Sequence, residues 1–125
     1  MRVVLDTGAF IAIEKRSRRI GAMLRVLQQA RVPLWTSSAA VAQVWRDGRK
    51  QAELARVLAG VGIRALGPDD DRRTGELLGR AKTRDVVDGH VAFIVEDGDR
   101  VLTADRGDLE RLIDVRGIDA TVVDV

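Results

Sequence analysis

Val3-Val4-Leu5-Asp6-Thr7-Gly8-Ala9-Phe10-Ile11-Ala12 runs from unbroken aliphatic residues into one aspartate and then a turn-tolerant Thr-Gly. An apolar run without alternation reads as a strand buried on both faces, which is the pattern of a parallel sheet. Asp6 then stands at the carboxyl edge of that strand, where open α/β sheets keep their ligand crevice. The stretch Arg100-Val101-Leu102-Thr103-Ala104-Asp105-Arg106-Gly107-Asp108-Leu109 repeats this layout. It puts Asp105 immediately past a strand, with Asp108 read as the cap of the following helix. A third acidic phrase, Asp85-Val86-Val87-Asp88-Gly89-His90-Val91-Ala92-Phe93-Ile94, opens a buried helix. Asp85 is its cap, and Asp88 lies one turn in, on the same face. The apolar residues from Val91 onward leave Asp88 at the mouth of a buried element, where a carboxylate needs a cation or hydrogen bonds.

The remaining periodicity fills in an alternation of strands and helices. Strands are expected at residues 2–6, 33–36, 61–66, 100–103 and 120–123. Helices are expected at 8–14, at 17–30 on the spacing of Ile20, Met23, Leu24 and Leu27, and after a Ser37 or Ser38 cap. Gly48 is expected to break that last helix. Further helices are expected at 50–59, after Asp69–Asp71, at 86–96 and at 106–114. This alternation predicts an α/β fold: one domain over residues 1–125, with a central, mostly parallel sheet of 4–5 strands flanked by helices.

Composition narrows the functions. The 125 residues are 46% hydrophobic, so a packed core is expected. There is no cysteine, which excludes disulfides and thiolate zinc sites. No apolar run approaches the roughly 18–20 residues that span a bilayer, and the chain opens directly on a strand; a cytoplasmic protein is expected. Residues 1–64 carry 12 Lys and Arg against 4 Asp and Glu, and residues 65–125 carry 9 against 15. An acidic edge beside a basic half suits a phosphodiester substrate, with the cation on one and the phosphates on the other. Asp6, Asp88 and Asp105 offer hard oxygen ligands, which suit Mg²⁺ or Mn²⁺. His90 reads as a helix-surface or hydrogen-bonded side chain. Ser37 and Ser38 have no evident His or Asp partners, so a nucleophilic triad is not indicated. Gly-rich phosphate loops are absent, and the aromatics Phe10, Trp35, Trp45 and Phe93 read as core.

These phrases together resemble the PIN-domain family, and within it the VapC-type toxins of toxin–antitoxin pairs, over essentially the whole chain. VVLDTGAFIAIE resembles the family's first motif with Asp6 as the metal-binding aspartate. DVVDGHVA resembles the central motif with Asp88, and VLTADRGDL the last motif with Asp105. The resemblance implies a metal-dependent endoribonuclease with Asp6, Asp88 and Asp105 as catalytic and metal-holding residues. Asp108, Asp85 and Gln43 are further candidates for the metal's shell. It also implies a tRNA or rRNA substrate, a small VapB-like antitoxin and a homodimer. Arg16, Arg18, Arg19, Arg46, Arg49 and Lys50 are candidates for RNA backbone contacts. One departure stands out: in Ser37-Ser38-Ala39-Ala40-Val41-Ala42-Gln43-Val44, Gln43 occupies the place of the family's usual glutamate. Gln keeps a carbonyl oxygen and loses a charge, with Glu14 a candidate for compensation. The alternative reading is a degenerate PIN domain that binds RNA or a protein partner without cleaving.

Overall fold

The computed structural model describes residues 1–125. Strand β1 (Val3–Leu5) lies at the centre of the sheet, between β2 (Leu34–Ser37) and β4 (Arg100–Thr103). The edges are β3 (Gly62–Arg64) and β5 (Thr121–Asp124), giving the order β3-β2-β1-β4-β5. Every pairing is parallel, with Leu5 level with Thr36 on one side and Leu102 on the other. Val3, Val4 and Leu5 are buried completely, as an uninterrupted aliphatic run on a central strand requires.

Helices α1 (Thr7–Glu14), α2 (Arg18–Gln29), α3 (Ser38–Val44), α4 (Ala52–Leu58), α5 (Asp71–Ala81), α6 (Val86–Ile94) and α7 (Arg106–Arg116) flank the sheet. Their inner faces and the strands form one connected core of 26 buried hydrophobic residues. No helix is long and apolar enough to cross a membrane. The chain lays β1, β2 and β3 outward on one side, then returns to add β4 and β5 on the other. Strand order therefore reverses between β1 and β4, and such a switch point is where open α/β sheets keep their ligand crevice.

The expected strands and helices are all present, and the local differences have physical causes. Pro33 lacks an N–H and stays outside β2. Helix α3 ends at Val44 rather than at Gly48. Gln51 closes that end: its Oε1 accepts from the Arg46 and Asp47 amides at 2.8 and 3.0 Å, and its Nε2 donates to Val44 O at 2.8 Å. This turn carries Trp45 outward to 37% exposure, so of the four aromatics read as core Trp45 is a surface residue, whereas Phe10 is fully buried.

Candidate metal centre

Asp6 leaves β1 as the N-cap of α1. Its Oδ1 accepts from the Thr7 amide at 2.7 Å, and its Oδ2 accepts from Thr103 Oγ1 at 2.7 Å. Thr103 Oγ1 in turn accepts from the Asp105 amide at 2.9 Å, so one hydroxyl ties the ends of β1 and β4 together. The crossing is tight. A Cβ on Gly8 would meet Ala104 Cβ at 2.5 Å and Ala104 N at 2.6 Å, so the first turn of α1 can lie against the β4–α7 loop only because residue 8 is glycine.

Asp85 is the N-cap of α6, and its Oδ1 accepts from the Asp88 amide at 3.0 Å. This is the cap-and-next-turn arrangement that the spacing predicts. Asp88 is only 7% exposed. Asp105 caps α7 by position but its side chain makes no capping hydrogen bond, and Asp108 lies in the same first turn. One carboxylate oxygen each from Asp88, Asp105 and Asp108 fall within 4.8 Å of one another. Asp108, a helix cap by local sequence and a candidate for the metal's shell by resemblance, has its carboxyl in the cluster.

The electrostatics record this convergence. Burial, and then the charges of Asp6, Asp85, Asp105 and Asp108, push the Asp88 carboxyl up to about 7. Burial also raises Asp6, with the Asp85 charge adding to it and the Thr103 and Thr7 hydrogen bonds opposing. The Asp105 carboxyl is raised first by its hydrogen bond with Asp108, then by burial. Asp88, Asp105 and Asp108 thus form the close group, and Asp6 and Asp85 lie near enough to add their charges at Asp88 without entering that group. A cluster of hard oxygen donors, one of them buried and raised, could hold a divalent cation.

The other candidates lie elsewhere or differ in role. Gln43 is exposed on α3. Glu14 ends α1, about 10 Å along the helix axis from Thr7, and its Oε2 accepts from Gln51 Nε2 at 3.0 Å. It is therefore engaged away from Asp6 and does not compensate for Gln43. Arg16 and Arg18 line the largest groove, roughly 1030 Å³ between α2 and α4, together with Arg25 and Arg56. Arg16 and Lys50 line an adjoining pocket of roughly 300 Å³. Neither opening includes any of the five aspartates. Arg19 is exposed on α2. Arg46 donates to the Ala42 and Trp45 carbonyls, and Arg49 pairs with Asp47. The sequence reading missed Thr103, whose hydroxyl looks like any strand threonine until β1 is placed beside β4. It also missed partners for Ser37, which sits 2.6 Å from His90 Nδ1.

A parallel sheet with a carboxylate crevice at its β1–β4 switch point, flanked by seven helices, has the PIN-like fold that the sequence resemblance implies. Among solved structures, the chain is similar to VapBC2 from Rickettsia felis, crystallised bound to a DNA fragment from their promoter. The match has a TM-score of 0.70 and 16% identity, and covers 99% of this chain and 100% of that one. No family model matches the chain, and no curated protein matches it in sequence.

Proposed function

We propose that this chain is a VapC-type endoribonuclease that hydrolyses RNA phosphodiester bonds with Mg²⁺ or Mn²⁺. The observation that carries the reading is the grouping of Asp88, Asp105 and Asp108 at the sheet's carboxyl edge, with Asp6 and Asp85 close enough to act on Asp88, whose carboxyl is raised to about 7 by burial and then by these acidic neighbours. Asp6, Asp88 and Asp105 would hold the ion, with Asp108, Asp85 and Gln43 as further candidates. A divalent ion bound there supplies positive charge to the scissile phosphate and acidifies water for attack. Thr103 fixes one Asp6 oxygen and the Thr7 amide fixes the other, which holds that carboxylate in one orientation at the end of β1. Asp88, close to neutrality, exchanges its proton for a cation at little cost near pH 7. No protein nucleophile is required, which agrees with the complete burial of Ser37.

Arg16, Arg18, Arg19, Arg46, Arg49 and Lys50 are all exposed and would meet RNA phosphates outside the crevice. The fold likeness to VapBC2 supports a small VapB-like antitoxin as partner. The proposal also takes the chain to be cytoplasmic and a homodimer, and sedimentation would test the dimer. One feature favours a second reading. Gln43 brings no charge to the site, so a chain that binds RNA or a protein partner without cutting it is the competing account. Incubating total RNA with the purified chain in Mg²⁺, Mn²⁺ or EDTA decides between them. Cleavage that needs the metal and disappears in Asp6→Asn supports the nuclease; RNA retention without cleavage in every metal supports the second reading.

A further inference from the structure

Behind the acidic crevice lies a second polar cluster that the proposed chemistry does not use. Ser37 Oγ is 2.6 Å from His90 Nδ1, and His90 Nε2 is 2.8 Å from Asp70 Oδ2. Arg64 donates from Nε and Nη2 to the two Asp70 oxygens, each at 2.7 Å. Ser37 and His90 are 0% exposed and Asp70 is 2% exposed. The connectivity matches a nucleophile, base and carboxylate. No substrate reaches a fully buried Ser37 Oγ, however, and that oxygen already caps α3 by accepting from the Ala39 amide at 2.9 Å.

The proton positions follow from satisfying every group. The Arg64 guanidinium, aided by His90, holds the Asp70 carboxyl down at about 2 against the opposing effect of burial, so Asp70 only accepts. His90 Nε2 therefore donates to Asp70, and Nδ1 accepts from the Ser37 hydroxyl. Each buried donor then has an acceptor, which makes the chain rigid rather than costly.

The location of this chain suggests its purpose. His90 follows Asp88 by two residues, so the two side chains project to opposite sides of α6. Asp88 brings a carboxylate oxygen within 4.8 Å of oxygens of Asp105 and Asp108, a grouping of like charges that needs the start of α6 held in place. The His90 ring ties that same turn to the end of β2 through Ser37 and to the segment before α5 through Asp70. Gly89, between them, lets α6 approach α5 closely, since a Cβ there would meet Leu78 Cδ2 at 2.6 Å. We infer that His90 is a positioning residue: the Ser37–His90–Asp70–Arg64 chain holds α6 in place so that Asp88 reaches a cation shared with Asp6 and Asp105. The inference rests on the metal-site reading above and assigns part of that site's geometry to one side chain outside it.

The test uses His90→Phe, which keeps a ring and removes both nitrogen contacts, and His90→Gln, which keeps one donor and one acceptor. Mn²⁺ affinity is measured by calorimetry, and amide hydrogen exchange is measured on the metal-free proteins. His90→Phe should weaken Mn²⁺ binding about tenfold, as loss of a supporting hydrogen bond does at metal sites. His90→Gln should stay within about threefold of the native chain, and in an Asp88→Asn background His90→Phe should change affinity by less than about twofold. The Asp88 and Gly89 amides, bonded to Asp85 Oδ1 and O at 3.0 and 2.9 Å, should exchange faster in His90→Phe while β1 and β4 stay protected. If His90→Phe does not fold, Asp70→Asn is read by the same two measurements. Unchanged Mn²⁺ affinity, or an equal loss of protection throughout β1 and β4, would overturn the inference and leave the chain a general stabiliser. A native chain that binds no Mn²⁺ would defeat the metal-site reading instead, and the exchange pattern would still decide whether His90 holds the α6 turn.

Discussion

Replacing Asp88 with Asn should make the metal-free protein more stable, although it removes a residue from the proposed site. The carboxyl titrates at about 7 in the folded chain against 3.8 without the fold, so the folded state binds its proton more tightly. The stabilisation from that proton is fully present below pH 3.8 and is lost as pH rises through 7. The difference between these two values sets a ceiling of about 4 kcal/mol on the penalty at pH 8. The crevice opens to water at Asp85, Asp105 and Asp108, which are exposed, and screening there reduces the figure to about 2 kcal/mol. Asn carries no charge and escapes the penalty. Urea unfolding in EDTA should therefore show Asp88→Asn more stable than the native chain by about 2 kcal/mol at pH 8 and by less than about 1 kcal/mol at pH 5. A variant less stable than the native chain at pH 8 would refute the reasoning, because the carboxylate would then be a structural hydrogen-bonding group.

Other substitutions test neighbouring parts of the account. Thr103→Val keeps the shape of the side chain but removes the donor to Asp6 and the acceptor of the Asp105 amide; it should cost about 1–3 kcal/mol in urea unfolding. An unchanged midpoint would show that the hydroxyl does not couple β1 to β4. Gly8→Ala drives a methyl into Ala104 backbone and side chain, so unfolding should show a loss of about 1–3 kcal/mol, and Mn²⁺ affinity should fall with it. Gln43→Glu adds a negative charge if the residue reaches the cation, and should tighten Mn²⁺ binding in a calorimetric titration. Equal affinity in the two proteins would place residue 43 outside the ion's shell.

The features legible in the sequence were those that local chemistry controls. Continuous aliphatic runs such as Val3–Leu5 and Val101–Leu102 identify central parallel strands, and an aspartate directly after each is carried to the carboxyl edge whatever the rest of the fold does. That is why Asp6 and Asp105 were identifiable before their neighbours were known. Asp88 was identifiable because a carboxylate ahead of Val91–Val95 needs an explanation. The Ser37–His90–Asp70 chain was not legible: its contacts span 53 and 20 residues, and nothing local to any member signals them. Asp108 reads from local sequence as a cap, and only the resemblance makes it a candidate for the metal's shell; the approach of α6 to α7 is what brings its carboxyl beside Asp88. Trp45 was misread because α3 ends early, through a glutamine side chain that no helix-stop rule anticipates.

The central claim is that the carboxylates at the β1–β4 switch point form one divalent-cation site. Anomalous diffraction from a crystal of the chain soaked in Mn²⁺ tests it most directly. The account predicts a manganese peak within coordination distance, about 2.0–2.4 Å, of oxygens from Asp6, Asp88 and Asp105. A peak bound by other residues, or none at these three aspartates at a Mn²⁺ concentration that supports cleavage of RNA, would contradict it.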